Sequence, residues 1–394
     1  MTPLPITAVA LASALGHGTS AALKAMRHGQ SGLRRNDFPD SDLDTWIGRV
    51  TGLEDAPLGG EFSHFDSRCS RLAQLGLQQD GFEAAVARAM ARHGAHRVAV
   101  YVGTSSSGIL EAELAFRNRD PVSGALPAAL RFRDTYNLYS VSSFVQQRLG
   151  LRGPCCTVSS ACASSAKAFA AAQRSIAAGL CDAAVVGGVE TLCFTTLQGF
   201  ASLELLSSRP CRPFDPERNG ISIGEAAAFA LLDKDGRGGW GLSLLGCGES
   251  ADAFHMSTPH PQGLGAARAM RAALHAAGLP PEGVDYLNLH GTGTRNNDAA
   301  ENAAVAAVFS ERLTCSATKG LTGHTLGAAG AVEAVLTLLA LRDGFVPGTA
   351  NTRHADPQFG IRLALATAPQ ALRNAMSNSF GFGGSNCSLV FGHA

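Results

Sequence analysis

Short apolar runs alternate along this 394-residue chain with alanine-rich helical stretches, and that alternation predicts an α/β fold built on a mainly parallel sheet. A second observation agrees. The chain holds 45 glycines, many alanines and only 6% aromatic residues, so its elements can pack closely and backbone can pass beside a ligand. Prolines number only 17, which separates this glycine content from that of a disordered linker.

The elements follow in order. The opening run "ITAVALASALG", Ile6 to Gly16, has no basic segment before it, Lys24 being the first positive side chain, and reads as a buried strand rather than a secretion signal. A helix is expected over Ser70–Gly94, a strand over His96–Gly103 and a helix over Ser164–Ala178, followed by strands at Asp182–Val189 and Ala226–Asp233. The charged, glycine-rich "DKDGRGGWG" from Asp233 to Gly241 lacks any periodicity and marks a boundary between residues 1–236 and 237–394. Beyond it come a helix at Gly265–Ala277, a strand at Val284–Gly291, a helix at Ala299–Phe309 and a strand at Cys387–Gly392. No run approaches the roughly 18 uninterrupted apolar residues of a membrane span.

One theme occurs on both sides of the boundary. A loop leads into "SSACASSAKAFAAAQRSIAAG" in the first half and into "GHTLGAAGAVEAVLTLLALRDG" in the second, each a helix with small residues at its start and an almost apolar body. Such helices fit between two sheets. Both open on a reactive side chain, Cys162 and His324, so the expectation is a duplicated fold with its site where the halves meet.

Composition limits the partners. Thirty-two basic residues balance 32 acidic ones, which argues against nucleic acid. Charged residues are 16% of the chain against about 25% in ordinary domains, so part of the surface is expected to be covered by another subunit. The ten cysteines are scattered with no CxxC pair, and Cys155-Cys156 lacks ligand spacing, so they are read as thiols and no metal site is expected.

Four segments carry chemistry. Cys162 in "TVSSACASSAKAF" falls near a helix N-terminus, where the macrodipole and free N–H groups favour a thiolate, although a buried core cysteine is the competing reading. His290 ends a strand and enters the loop "HGTGT", whose Thr292 and Thr294 offer hydroxyls to a polar ligand arm. Lys319 and His324 flank a glycine-bearing turn. Glu333 interrupts the apolar helix after it, and a buried lysine needs a carboxylate that either Glu301 or Glu333 could supply. In "SNSFGFGGSN", Phe380 and Phe382 bracket a glycine, and the backbone there suits an oxyanion hole or a gate; the plain alternative is a glycine-rich turn. One cysteine and two histidines so placed point to acyl transfer through a thioester.

Taken in this order, the four motifs resemble those of a β-ketoacyl-acyl-carrier-protein synthase, an elongating condensing enzyme of the synthase I/II type in the thiolase superfamily. The likeness covers nearly the whole chain, and "SSACASSA", "YLNLHGTGT" and "MSNSFGFGGSN" resemble synthase I somewhat more than synthase II. It implies a thiolase fold, five layers α-β-α-β-α from two similar halves, usually dimeric and cytoplasmic, with no resident cofactor because substrates arrive on the phosphopantetheine arm of acyl carrier protein. By motif position it implies Cys162 as the acyl-accepting nucleophile, His290 and His324 as the pair acting on the malonyl thioester, and Lys319 as an organising charge paired with Glu301. The N–H groups of Cys162 and Phe382 match the oxyanion hole, with Phe382 also a gate, and Asp298, Glu301, Glu333 and Phe380 in support. Thr292 and Thr294 match the contacts to the arm, while Arg68 and Arg71 match basic residues that meet the carrier. The implied reaction is a decarboxylative Claisen condensation in fatty acid, aryl-polyene or polyketide-type synthesis, with a homodimer or a heterodimer with a chain-length-factor subunit.

Five positions depart from the family pattern, Asn219 and Ala228 among them. Arg295 stands where proline is usual, Ile221 replaces an aromatic residue, and Glu225 sits in a normally glycine-rich stretch. Two other functions compete. A noncatalytic chain-length-factor-like partner would lack the cysteine, and a CoA-dependent thiolase-type enzyme would have a Cys-His-Cys or Cys-His-Asn site rather than a second histidine in "GHTLGAAG".

Overall fold

A computed structural model describes residues 2–236 and 239–393. The boundary expected between Gly236 and Arg237 therefore touches residues outside the described ones.

Ten strands form the body of one continuous sheet of twelve: β1 (Leu4–Ser13), β2 (Val98–Gly103), β3 (Cys155–Val158), β4 (Ala183–Glu190), β5 (Ala226–Asp233), β6 (Leu242–Ala251), β7 (Tyr286–Asn288), β8 (Thr314–Ser316), β9 (Asn374–Gly381) and β10 (Ser385–Gly392). Their order is β8-β7-β9-β10-β6-β1-β5-β4-β2-β3. The duplication is explicit in this order. Numbering the strands of each half one to five gives 3-2-4-5-1 in both, and in both the second strand is parallel to its neighbours while the fifth is antiparallel to the first and fourth.

Seven helices cover these strands: α1 (Arg68–Leu77), α2 (Phe82–His93), α3 (Tyr139–Arg148), α4 (Ser164–Ala177), α5 (Leu264–Ala277), α6 (Arg295–Val308) and α7 (Ala329–Asp343). The first three lie on one outer face, α5 and α6 on the other, and α4 and α7 are enclosed between the two half-sheets. This is the five-layered α-β-α-β-α arrangement. In α7 every residue from Ala329 to Leu341 is buried, as an apolar body predicts. Small residues permit the central crossing: a Cβ on Gly330 would lie 2.5 Å from the Ala166 backbone nitrogen.

Several elements differ from expectation. The single helix over Ser70–Gly94 is two, α1 and α2, because Asp80 and Gly81 take left-handed backbone (φ of 55° and 68°). The Asp80 carboxylate is anchored across the fold, accepting the N–H and hydroxyl of Thr19 at the start of the helix Thr19–His28. The strand expected over Val284–Gly291 shortens to Tyr286–Asn288, which leaves His290 beyond the sheet edge. Among the described residues no helix is long and apolar enough to cross a membrane.

Candidate active site

Cys162 follows β3 and precedes α4, while His324 follows β8 and precedes α7, so the two sit at equivalent points of the duplicated halves. The central crossing of α4 and α7 brings them together: His324 Nε2 lies 3.0 Å from Cys162 Sγ, and both residues are buried. Ala161, just before the cysteine, has φ of 47°, a strained elbow that turns the thiol toward the second half. Gly381 packs against the same backbone, for a Cβ there would lie 3.1 Å from the Cys162 nitrogen. The Phe382 N–H is directed at the Cys162 sulfur, so one of the two N–H groups expected to form an oxyanion hole faces the thiol.

His290 stands with its ring 5.3 Å from that of His324, nearly perpendicular, and 5.9 Å from Phe380. Its N–H and that of Gly291 donate to the two oxygens of Glu301, both at 2.8 Å. Lys319 Nζ lies 3.1 Å from His290 Nδ1, 2.5 Å from its carbonyl oxygen, and bonds Glu333 Oε1. Lys319 is thus paired with Glu333, not Glu301 as the resemblance implied. Glu301 is occupied instead by the backbone of the His290 loop and by Asn378 Nδ2 at 3.1 Å. Asp298 supports the same loop, accepting N–H groups from Phe214 and Gly293.

Burial dominates the electrostatics. It pushes the Cys162 thiol up to about 11 despite the Lys319 charge and the Phe382 N–H, so the resting group is a thiol and not the thiolate expected from the helix N-terminus. Burial, with the Lys319 charge, holds both histidines well below their usual range and hence neutral. Burial likewise raises Glu301 and Glu333 to about 7, in Glu333 against the attraction of Lys319. With Lys319 donating to Nδ1 of His290, the ring proton sits on Nε2. His324 Nδ1 has no hydrogen-bond partner among the described residues, so its tautomer is free.

A cavity of about 430 Å³ opens onto these groups, with Cys162, His290 and His324 at its floor and Thr292, Thr294 and Arg295 along one wall. Ile221 and Phe200 form the apolar side, and Phe382, 37% exposed with its ring 5.8 Å from that of Phe200, stands in the opening. Cys162, His290 and His324 also offer ligand atoms within 4.8 Å of one another, and the ammonium of Lys319 beside them opposes a cation. His93, Asp233 and Asp235 make a second such group, where Arg92 already neutralises Asp233.

Two expected residues lie elsewhere. Arg68 is 7% exposed and fully engaged by Glu225 and Glu54, so its buried guanidinium is unavailable to a carrier protein. Glu225, a departure from the family pattern, is thereby explained as its partner. Arg71 forms a two-pronged pair with Asp66, both bonds at 2.7 Å. Sequence reasoning missed Glu190, which ends β4 and raises the Cys162 thiol by its charge. It is a polar residue closing a buried apolar run, as His290 reads in the sequence, and that signal could have found it.

The profile described as "Beta-ketoacyl synthase, N-terminal domain" matches residues 1–236, and that described as "Beta-ketoacyl synthase, C-terminal domain" matches residues 243–353. The chain is 41% identical to a mitochondrial 3-oxoacyl-[acyl-carrier-protein] synthase of Arabidopsis thaliana across 64% of this chain and 59% of that protein. It is 33% identical to 3-oxoacyl-[acyl-carrier-protein] synthase 2 of Mycobacterium tuberculosis across 98% of this chain and 96% of that one. Among solved structures, a ketosynthase (ApeO) in complex with its chain length factor (ApeC) from Xenorhabdus doucetiae is 38% identical. It superposes with a TM-score of 0.90, covering 100% of this chain and 98% of that one.

Proposed function

The chain belongs to the β-ketoacyl synthase family of thiolase-fold acyltransferases, and on that footing we propose how its site condenses carrier-bound substrates. The observation that carries the proposal is the 3.0 Å contact between Cys162 Sγ and His324 Nε2, with a second, Lys319-fixed histidine alongside.

In the first half-reaction the Cys162 thiol yields its proton to His324 Nε2 as sulfur attacks the acyl thioester. The carrier thiolate leaves and takes that proton, and the acyl group stays on Cys162. Malonyl-carrier protein then enters along Thr292 and Thr294. His290 Nε2–H and His324, whose free Nδ1 allows Nε2 to become the donor, hold the malonyl thioester oxygen. The bond to the carboxylate breaks, carbon dioxide departs, and its electron pair passes into the enolate. That carbon attacks the acyl-Cys162 carbonyl, and the N–H groups of Cys162 and Phe382 hold the oxyanion, each donor typically contributing about 3 kcal/mol. Collapse expels the Cys162 thiolate, which regains a proton from water, and leaves a 3-oxoacyl product two carbons longer. No step calls for a resident cofactor.

Phe382, in the opening, gates the two half-reactions. Arg295, exposed on the cavity wall, meets the phosphate of the arm or the carrier itself. Acyl carrier protein is the substrate partner, and the sparse surface charge supports a dimer. The ketosynthase relative solved with its chain length factor supports a related second subunit. Ten free thiols fit the reducing cytoplasm. Ile221, where an aromatic is usual, favours a specialised acyl chain, as in aryl-polyene or polyketide-type synthesis, over a primary fatty acid. Incubation with acyl- and malonyl-carrier protein, with the partner subunit present, should release a 3-oxoacyl product that is lost in Cys162→Ala. If this chain were the noncatalytic partner, the other subunit would release product equally with wild type and with Cys162→Ala, and a thiolase-type enzyme would prefer acetyl-CoA as extender.

A further inference from the structure

Glu190 is completely buried and no step above uses it. Its Oε1 accepts the Ser106 N–H at 2.9 Å, the Thr104 hydroxyl at 3.3 Å and the Ser106 hydroxyl. Its Oε2 accepts the Ser105 N–H at 2.7 Å, the Ser105 hydroxyl at 2.6 Å and the Gly327 N–H at 2.8 Å. Six donors saturate an ionised carboxylate, whose lone pairs offer about four good sites.

Five of those contacts tie Glu190 to the loop after β2, in the first half. The sixth reaches the second half, three residues beyond His324. Between them Leu326 is held at φ of 45°, a conformation that needs external support. Gly327 has a reason besides helix packing: a Cβ there would lie 2.4 Å from Glu190 Oε2.

We propose that Glu190 is a positioning residue that keys the His324 turn to the Ser105–Ser106 loop and so holds His324 Nε2 on Cys162 Sγ. It acts through Gly327 and touches no substrate. Its effect on condensation rests on the function proposed above, whereas its effect on the thiol does not.

The alternative is that Glu190 matters only as a negative charge near Cys162, and the two roles differ in sign. Removing a charge that raises the thiol would lower the pH midpoint of Cys162 alkylation; releasing His324 takes away the ring whose Nε2 can turn an N–H onto the thiolate, and raises it. The test is Glu190→Gln, which sets an amide NH2 against N–H and O–H donors. Iodoacetamide labelling of the Cys162 peptide is followed by mass across pH, and condensation is measured per labelled site. The midpoint should rise, and kcat should fall about tenfold or more with KM within twofold, the loss expected when a proton-transfer partner is displaced. A lowered or unchanged midpoint, or a wild-type kcat per site, overturns the proposal. Gly327→Ala, which leaves the charge in place, is read the same way should Glu190→Gln not fold. Absence of condensation in the wild type would defeat the proposed function alone, and the midpoint would still decide the role of Glu190.

Discussion

Lys319 Nζ sits 3.1 Å from His290 Nδ1 and so decides which nitrogen of that ring carries its proton. The same ammonium neutralises Glu333 inside the apolar helix α7, so one side chain sets a tautomer and compensates a buried carboxylate. Lys319→Ala should cost about 1–3 kcal/mol of stability, because Glu333, already raised to about 7, takes up a proton and is left short of a hydrogen-bond partner. It should also slow malonyl decarboxylation roughly 10²-fold or more, by freeing the tautomer. Thermal unfolding and carbon dioxide release measure the two effects separately. Wild-type decarboxylation in a folded variant would contradict this role.

Acid should weaken the fold through the two histidines. Their folded values lie well below 6.5, so as pH falls through 6.5 the unfolded chain binds protons that the native site refuses, and stability drops by about 1.4 kcal/mol per pH unit for each. Glu301 and Glu333, raised to about 7, act oppositely between 7 and their ordinary value of 4.5, where the native state holds the extra protons. The wild type therefore shows a shallow net slope there and a steeper loss below it. Comparison with His290→Gln isolates one histidine: the stability difference should shift by about 1.4 kcal/mol per unit in the variant's favour on acidification below 6.5. Urea titrations at pH 5 and 7 check this, and a pH-independent difference would contradict it.

Arg68 should behave as a structural residue. Its guanidinium holds Glu225, whose carboxylate also accepts the N–H groups of Val50 and Leu192, so Arg68→Ala leaves a buried charge unpaired. A loss of about 3–5 kcal/mol is expected, with little change in KM for carrier protein in whatever fraction folds. A stable variant with a raised carrier KM would restore the carrier-contact role.

Much of this was legible in the sequence, for definable reasons. The strand Ala226–Asp233 matches its expected bounds because it is buried on both faces and reads as an unbroken apolar run. Cys162, His290, Lys319 and His324 were visible as polar residues in apolar or glycine-rich settings, and they converge. Pairings across the fold were not legible: whether Lys319 meets Glu301 or Glu333, and that Arg68 is buried, depend on which elements cross. Nor was the state of the Cys162 thiol, because a helix N-terminus is visible in sequence while burial that outweighs it is not.

Everything in the proposed reaction depends on Cys162 carrying the acyl chain on its way to the product. Intact-protein mass after brief exposure to acyl-carrier protein reads this step without intermediaries. One acyl adduct is expected on the Cys162 peptide, absent in Cys162→Ala and discharged as 3-oxoacyl product on adding malonyl-carrier protein. An adduct at another residue, or product formation by Cys162→Ala, would contradict it.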